Sequence, residues 1–503
     1  MKGVLVRESN LDRTVASVPS EPLTQSPAGA AQKKVPKVLF WLVAATFIVI
    51  LNETIMINAL PQLAKVFEIP ERTAQWLTTA FMLTMAVVIP TTGWFLQRVS
   101  TRAAFVSAMA VFLVGTTVAA AAPMFEVLLL GRVIQAVGTA VMLPLLMTTL
   151  MTVVPEEDRG RVMGNVMLAI SVAPAMGPAV SGLILAVGSW RLIFIVVLPI
   201  TVAVIAAGLR YLTNVGETNS GPLDRLSVVL AALGFGTTVF GLSELGAENP
   251  ILHPAATIGL GLLGIGAFAA RQVVLQRAGA PLLDLRTITY RTYALALGLM
   301  AVAFMAMIGA MVLFPFFLQD ARDLTPLETG LLMMPGGLAM GLLGPVVGRW
   351  FDKFGGRLLV LPGAIGALAA LIILSQVSLS MPLVAVIATH VVLLVSLAAV
   401  FTPVFTLGLS ALPPHLYSHG SSLLATLQQV AGAMGTAIVI TVMATRSRTL
   451  EDSGSDELDA LVGGLQWAFG VGVVFGIVIV AFAVFMPHRP DGYGAEHSGT
   501  ANS

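Results

Sequence analysis

The stretch Gly93-Trp-Phe-Leu-Gln-Arg-Val-Ser-Thr-Arg102 is repeated, in altered form, as Gly348-Arg-Trp-Phe-Asp-Lys-Phe-Gly-Gly-Arg357. The copies lie 255 positions apart (348 minus 93), and a proline stands three residues before the glycine that opens each copy. Each copy follows an apolar stretch long enough to cross a bilayer. A basic, turn-forming loop repeated between membrane helices indicates a duplicated helix bundle. Such duplication is typical of secondary transporters, whose halves move against one another around a central site.

The composition of the chain indicates a membrane protein independently of the repeat. Apolar residues make up 57% of the sequence and charged residues only 11%, whereas about a quarter of the residues in a soluble domain are charged. The net charge of +1 provides no basic face, so we expect no nucleic-acid partner. The sequence has no cysteine and its six histidines are scattered, so we predict neither a metal site nor a cofactor.

Fourteen apolar stretches have the length of a membrane span. They cover residues 37–60, 74–97, 103–122, 125–153, 160–187, 190–213, 223–245, 254–274, 290–318, 327–351, 356–376, 381–411, 418–445 and 460–486. The repeat offset pairs spans one to six with spans nine to fourteen, and spans seven and eight have no counterpart.

This pairing predicts the domain organisation of the chain. It consists of a disordered cytoplasmic tail (1–36), a six-helix bundle (37–213), a linker with two inserted helices (214–289), a second six-helix bundle (290–486) and a second cytoplasmic tail (487–503).

Lysine and arginine residues predict the orientation of the spans. With the N-terminus placed inside, twenty of the 27 Lys and Arg residues fall in inside segments and six in outside segments, and Arg132 falls within a span. Because positive residues accumulate in cytoplasmic loops, both termini are predicted to be cytoplasmic. We expect a multi-pass protein of the plasma (inner) membrane.

Two charged side chains fall deep inside predicted spans, away from the span ends. Glu53 lies in span one, directly after Asn52, and Arg132 shares a helical face with Gln135 in span four. A charge inside a membrane costs roughly 3 kcal/mol on insertion scales, so each is a functional hypothesis. At 1.5 Å per residue, Glu53 lies about 24 Å from the inner start of span one and Arg132 about 11 Å from the outer start of span four. Both fall in the outer half of the membrane, where a Glu53–Arg132 contact would make two buried charges tolerable.

That contact suggests a unit of proton coupling, because protonation of Glu53 would discharge the pair and free Arg132. An alternative is that Glu53 reaches the outer surface and has only a structural role. His390 in span twelve is a further intramembrane titratable group. It is either a second proton site or a satisfied polar side chain.

The fifth span carries a segment of small residues and prolines, Pro174-Ala-Met-Gly177-Pro178-Ala-Val-Ser-Gly182. Ser171, Ala175, Pro178 and Gly182 form a stripe that predicts tight helix contact. Pro174 and Pro178 each remove a backbone hydrogen bond and can bend the helix, which suits a gating helix.

Together these motifs resemble the major facilitator superfamily and, within it, the fourteen-span drug:proton antiporter family. The resemblance runs from Lys37 to Met486 and implies an all-α polytopic membrane protein. The implied major-facilitator-type fold has two six-helix bundles plus two extra helices, fourteen transmembrane helices in all. It also implies a transporter rather than an enzyme.

The resemblance assigns gating roles to the repeated loops, and the two copies match it unequally. The second copy keeps Gly348, Asp352, Lys353 and Arg357 of the family pattern. The first copy keeps Gly93, Arg98 and Arg102 but has Gln97 where Asp is usual and Ser100 where Gly is usual. The charges could latch one conformation by meeting a helix end, or the arginines could be only positive-inside anchors. In the first span, Asn52 replaces the usual Asp, so the titratable carboxyl is shifted by one position to Glu53.

Candidate walls of a substrate pocket come from polar, Met and Phe positions in apolar runs. Methionine-rich surfaces suit promiscuous binding, although such stripes are more often lipid-facing or core packing. The candidates are Met56, Asn58, Gln135, Met300, Phe304, Met307, Met311, Gln428 and Gln429.

The leading functional hypothesis is a proton-coupled antiporter that exports amphipathic drug-like molecules by alternating access. Its partners would be the small-molecule substrate, protons and the lipid bilayer, and we expect it to work as a monomer. The alternative is an exporter or flippase of an endogenous lipid or metabolite on the same scaffold. A membrane enzyme or redox pump is disfavoured because paired intramembrane histidines, cysteine ligands and a phosphate-binding loop are missing from the sequence. A channel is disfavoured by the duplicated Gly-rich loops and the Gly-Pro bend.

Overall fold

The computed structural model describes residues 37–215, 223–245, 250–277 and 281–488. Within these residues the chain is helical and contains no strand. The long helices run Lys37–Val66 (α1), Trp76–Arg98 (α2), Thr101–Ala120 (α3), Phe125–Val153 (α4), Arg159–Val187 (α5), Leu192–Tyr211 (α6), Arg225–Ser243 (α7), Pro254–Arg277 (α8), Arg291–Ala321 (α9), Pro326–Phe354 (α10), Arg357–Leu374 (α11), Leu383–Ser410 (α12), Tyr417–Asp452 (α13) and Glu457–Phe485 (α14).

Each predicted span corresponds to one of these helices, so the all-α fold class is confirmed. The largest difference is at α13, which continues to Asp452 through polar turns beyond the predicted limit of 445. Within the described residues, thirteen helices have both the length and the hydropathy of a membrane span, and α5 is not among them. The count of fourteen spans and the two-bundle division therefore stay predictions. The predicted tails, 1–36 and nearly all of 487–503, lie outside the described residues.

Local sequence signals set the ends of α10, the helix that carries the second loop copy. Thr325 and Glu328 form a reciprocal capping box at its start, and Pro326 occupies the first turn, where its missing N–H costs nothing. At its other end Gly355 has a φ of +77°, a left-handed conformation that a side chain would strain. The chain can therefore turn directly from α10 into α11.

Two helix pairs make the most extensive contacts between the first six helices and the last six. These pairs are α5 with α10 and α2 with α13. They are equivalent in the repeat, because a shift of eight helices converts α5 into α13 and α2 into α10. We call the end of the bundle that carries the α2–α3 and α10–α11 connections the loop end, and the opposite end the far end.

At the loop end, α5 and α10 touch backbone to backbone. A Cβ atom at Gly160 would overlap the backbone of Gly348, and one at Gly164 would overlap the carbonyl of Gly344. Small residues allow this approach, and close packing is what holds helices together in lipid. Glycine spacing on the two helices therefore closes the loop end on this side.

Towards the far end, the close glycine contacts of α5 are lost at Gly182. Gly182 lies three turns beyond the last close glycine contact with α10, and a Cβ atom there would have no neighbour within 4 Å. Leu183 is 68% exposed and Leu327, near the start of α10, is 62% exposed. At Gly182 the predicted small-residue stripe therefore makes no tight contact, whereas Gly177 on the same helix packs against Thr54 of α1.

The different surroundings of Gly164 and Gly182 predict different effects of the same substitution on stability. Gly164→Val should destabilise the protein by about 1–3 kcal/mol, the usual cost of overpacking a tight contact. Gly182→Val should change stability by no more than about 0.5 kcal/mol because nothing surrounds it. Thermal unfolding of both variants in the same detergent tests this. Equal unfolding temperatures would contradict the difference in packing between the two glycines.

Candidate functional site

Arg132 forms the centre of a buried polar network among α1, α2, α3 and α4. Its side chain is fully buried. One terminal nitrogen donates to the side-chain oxygens of Asn52 at 3.2 Å and Gln135 at 3.1 Å, and Nε donates to the backbone carbonyl of Leu77 at 3.4 Å. These contacts distribute the positive charge over neutral dipoles rather than onto a carboxylate.

Two residues that sequence reasoning missed complete this network. Gln135 donates to the hydroxyl of Thr116 on α3 at 2.8 Å. The guanidinium lies over the ring of Phe81 on α2, 4.1 Å from its centroid, which is favourable for a cation. The only sequence signal for Thr116 was that it is a polar residue at about the same depth of a neighbouring span as Gln135. Phe81 gave no sequence signal.

Glu53 does not contact Arg132 directly. Among the ion pairs of the described residues there is none between these two side chains, and Asn52 occupies the position facing α4. Consecutive residues on a helix point about 100° apart, so only one of Asn52 and Glu53 can face Arg132. The expected direct Glu53–Arg132 contact is therefore wrong in this structure, although the two charges still attract each other at longer range.

The network keeps unused hydrogen-bonding capacity beside Glu53. The second terminal nitrogen of Arg132 and the amide nitrogen of Asn52 are buried and lack a hydrogen-bond partner. Unpaired buried donors are costly, so they favour any rearrangement that brings an acceptor to them. Glu53, partly exposed on the adjacent face of α1, is one such acceptor.

His390 lies elsewhere, packed between α9 and α10. It is 1% exposed, contacts the ring of Phe314 at 4.3 Å between centroids and hydrogen-bonds the backbone carbonyl of Met333. A Cβ atom at Gly336 would lie 2.6 Å from its ring. His390 is the eighth residue of α12, as Arg132 is the eighth of α4. The structure thus places the two groups at equivalent positions of the repeat, with separate contacts.

The second loop copy holds a helix terminus. The Asp352 carboxylate accepts hydrogen bonds from the backbone N–H groups of Gly160 at 2.8 Å and Arg161 at 2.7 Å, at the start of α5. A carboxylate here satisfies orphan donors and complements the positive end of the helix dipole. Lys353 lies over the ring of Phe354, and Arg357 is exposed at the start of α11.

The first loop copy makes a weaker cross-contact. Gln97 donates to the backbone carbonyl of His415 at 2.9 Å, just before α13. Arg98 lies over the ring of Trp94, and Arg102 donates to the backbone carbonyl of Leu209 on α6. The described contacts of Arg102 therefore stay within the first six helices.

Arg159 closes the centre of the loop end, a role that sequence reasoning missed. This buried side chain on α5 donates to Ser410 Oγ at 3.1 Å and to the Tyr417 hydroxyl at 3.2 Å. It lies in the connection after α4, a segment in which no chemistry was predicted. The sequence shows only that this residue is basic. It does not reveal the contacts, because the partners are about 250 residues away along the chain.

Hydroxyl pairs complete the closure. Thr92 and Ser422 are 2.7 Å apart across α2 and α13, and Thr148 and Ser421 are 2.8 Å apart across α4 and α13. The loop end is thus sealed by hydrogen bonds between the first and last six helices.

The residues predicted to contact substrate fall into two groups, one fully buried and one partly exposed. Met56, Gln135 and Met300 are fully buried, so they line no open cavity in this structure. The remaining described candidates are partly exposed: Phe304, Met307, Met311, Gln428 and Gln429. Of these, Gln429 contacts the sulfur of Met85 across α13 and α2.

Four further predicted residues belong to the fifth-span and first-span motifs. A Cβ atom at Gly177 would overlap the Thr54 side chain, so Gly177 packs α5 against α1. Pro174 is partly buried within α5. The side chains of Asn58 and Pro178 lie outside the described residues.

Comparison with known proteins identifies relatives that cover most of the chain. The family pattern of the Major Facilitator Superfamily matches residues 42–436. The chain is 36% identical to "Lincomycin resistance protein LmrB" of Listeria monocytogenes over 92% of this chain and 98% of that protein. It is 35% identical to the protein of the same name in Bacillus subtilis, again over 92% and 98%. It is 29% identical to "Multidrug resistance protein B homolog" of Mycobacterium tuberculosis over 72% and 68%.

Solved structures share the fold at low sequence identity. The human organic anion transporter MFSD10 superposes with a TM-score of 0.64 at 14% identity, covering 89% of this chain and 99% of its own. The proton:xylose symporter XylE gives a TM-score of 0.60 at 15% identity, covering 90% and 97%. At these identities the likeness concerns the fold alone.

The unequal loop copies predict unequal mutational effects. Asp352→Asn leaves a single acceptor oxygen for two buried N–H groups, an unpaired donor that costs about 1–3 kcal/mol. Gln97→Ala removes one hydrogen bond at a partly exposed site and should have the smaller effect. Export assays at matched membrane levels compare the two, and equal activities would remove the latching role of Asp352.

The network predicts that Arg132 cannot be replaced by lysine. Lysine keeps the charge but cannot donate in the fixed planar fork that reaches Asn52, Gln135 and Leu77 together. We expect transport to fall about tenfold or more in Arg132→Lys, since a hydrogen bond to a charged group contributes about 1.5–3 kcal/mol. Arg210→Lys on exposed α6 is the matched control, and equal rates in both variants would contradict the role of the network.

Proposed function

The chain belongs to the Major Facilitator Superfamily, and from that premise we propose that it is a proton-coupled antiporter that exports amphipathic drug-like molecules by alternating access. Membership makes it a multi-pass membrane transporter rather than an enzyme. The observation that carries the proposal is the buried Arg132 network, because a charge held inside a membrane marks a functional site.

Coupling is assigned to Glu53, next to that network. In the described conformation Arg132 is held by Asn52, and its second terminal nitrogen has no partner. An ionised Glu53 that turned towards α4 would supply this partner, and protonation would release it again. The proton state of Glu53 would thus choose between two arrangements of α1 against α4, which is the bistable element that coupling requires. His390 is the second candidate for the proton.

Alternating access is supported by the opposite states of the two ends. Hydrogen bonds and glycine contacts seal the loop end, whereas a Cβ atom at Gly182, towards the far end of α5, would have no neighbour within 4 Å. Opening the loop end would require Asp352 to leave the start of α5 and Arg159 to leave Ser410 and Tyr417. These interactions therefore form the inner gate.

Orientation and location follow from the same reasoning. The loop end carries the basic loops, so the positive-inside rule places it, together with both termini, in the cytoplasm. The described conformation would then be open outwards in a plasma (inner) membrane. We propose that the monomer is the working unit, since both predicted halves lie within one chain.

The proposed cargo class rests on two supports. Relatives named for resistance to lincomycin or to multiple drugs cover most of the chain. Partly exposed methionine and aromatic side chains on α9 offer an adaptable apolar surface. Drug tolerance of an efflux-deficient host expressing the chain, followed by dye efflux from vesicles, tests this cargo class.

An endogenous lipid or metabolite is the alternative cargo. The apolar, partly exposed α9 surface would suit a lipid equally, because adaptable methionine surfaces accept varied ligands. Lipid flipping without drug efflux in the same vesicles would favour this alternative.

The coupling role predicts a specific loss in Glu53→Gln. The amide cannot carry a proton, so drug-driven proton movement should be abolished while substrate binding is retained. Proton release and ligand binding are measured on the same purified protein, with Glu126→Gln, at an exposed site in the first turn of α4, as the control. Full proton-coupled efflux by Glu53→Gln would refute the assignment and transfer the role to His390.

A further inference from the structure

The two sides of the loop end are closed by different means. On the α5/α10 side, Asp352 binds the start of α5 with two hydrogen bonds. On the equivalent α2/α13 side, Gln97 stands where the carboxylate would be and reaches only one backbone carbonyl. Among the described residues, the α2/α13 side therefore has no counterpart of the Asp352 carboxylate at position 97, although the hydrogen bond between Thr92 and Ser422 shows that it is closed.

The inserted helices α7 and α8 lie against this weaker side. Helix α7 contacts both α2 and α13, and its Phe240 stacks on Trp76 of α2 at 5.9 Å. One apolar cluster, which we call the shared cluster, contains residues from α2, α7, α8, the segment before α9, and α13. Its members include Leu83, Ala86, Trp94, Phe235, Val239, Phe268, Leu282, Leu283, Leu423, Val430, Ala433 and Met434. The insertion thus packs against both sides of the seam between the first and last six helices.

Gln272 joins the parts of the insertion. This fully buried residue of α8 donates to Ser227 Oγ of α7 at 2.8 Å. Its side-chain oxygen accepts from the backbone N–H groups of Leu282 at 2.8 Å and Leu283 at 3.1 Å. Without this acceptor, two buried N–H groups would be unpaired. Gln272 therefore fixes the segment 281–290 beside α8.

That segment reaches the seam at the loop end. Leu282 and Leu283 are each 1% exposed within the shared cluster. The next residue, Asp284, is also buried and lies near His419 of α13, whose ring lies against Gly93 of α2. Burial would raise the pKa of Asp284, but the hydrogen bonds and the charge of Arg286 outweigh burial and lower it. A carboxylate from the insertion therefore lies near the site where Gln97 provides none.

We propose that α7, α8 and the segment 281–290 brace the α2/α13 side of the inner gate in place of the missing carboxylate, with Gln272 as the positioning residue. The brace acts by holding α2 and α13 to the shared apolar cluster while the loop end is closed. This inference rests on the alternating access of the proposed function, since a brace matters only for a gate that opens.

The test measures closure of the gate directly. Because the chain has no cysteine, Thr92→Cys/Ser422→Cys gives a clean cross-linking pair across α2 and α13. We expect Gln272→Leu to slow cross-linking about fivefold or more, since each 1–2 kcal/mol changes a two-state ratio by a factor of about 5–30. Adding Gln97→Asp to Gln272→Leu should restore cross-linking, because it supplies the missing carboxylate.

Gln466→Leu is the matched control. It removes a comparable hydrogen bond, from the Gln466 amide to the Val377 carbonyl, on α14 and away from the seam. Equal cross-linking in Gln272→Leu and Gln466→Leu, or no rescue by Gln97→Asp, would overturn the proposal. If Gln272→Leu does not fold, Leu283→Ala tests the same contact, with slower cross-linking expected and an unchanged rate contradicting the brace. Cross-linking is measured without any transport reaction, so it tests the brace separately from the proposed function. Failure of the parent protein to transport drug or protons would refute the proposed function instead.

Discussion

The close approach of α5 and α10 is the constraint on which the closed loop end depends. Gly160 and Gly164 meet Gly348 and Gly344 with no room for a side chain. This approach brings the start of α5 within reach of Asp352, and it places Arg159 where it can cross to α12 and α13. Packing of small residues is the main source of helix association in lipid, where apolar side chains gain nothing by leaving the bilayer. The polar bonds of the loop end are therefore consequences of glycine spacing.

The Arg132 network follows a different physical rule. A buried guanidinium is costly unless its donors are satisfied, and three helices, α1, α2 and α4, contribute acceptors or an aromatic face to it. The satisfaction is incomplete, since one terminal nitrogen of Arg132 and the amide nitrogen of Asn52 have no partner. A fully satisfied network would favour one arrangement strongly. An incompletely satisfied one, next to a carboxyl group, can be shifted by one proton, which connects the packing of α1 and α4 to the proposed coupling.

The repeat gives the molecule two equivalent frameworks whose polar residues differ. Arg132 and His390 occupy equivalent positions in α4 and α12, yet one is held by side-chain amides and the other by a backbone carbonyl and an aromatic ring. Likewise, Asp352 and Gln97 occupy equivalent loop positions and make contacts of unequal strength. In each pair, the duplicated backbone provides the position and the individual side chain provides the chemistry. The α2/α13 side, where the carboxylate is missing, is also the side against which the inserted helices pack.

The sequence by itself determined the helical class, the positions of the helices and the presence of a polar centre in α1 and α4. These properties follow from local composition, because a bilayer requires long apolar helices and penalises each intramembrane charge separately. Only the tertiary structure decided that Arg132 binds Asn52 rather than Glu53, that Arg159 crosses the loop end, and that Gly182 has no neighbour. The physical reason is that these outcomes depend on the rotation and tilt of whole helices. A rotation of α1 by one residue, about 100°, would exchange Asn52 for Glu53 opposite Arg132. The tilt of the neighbouring helices decides which residues of one stripe have close neighbours.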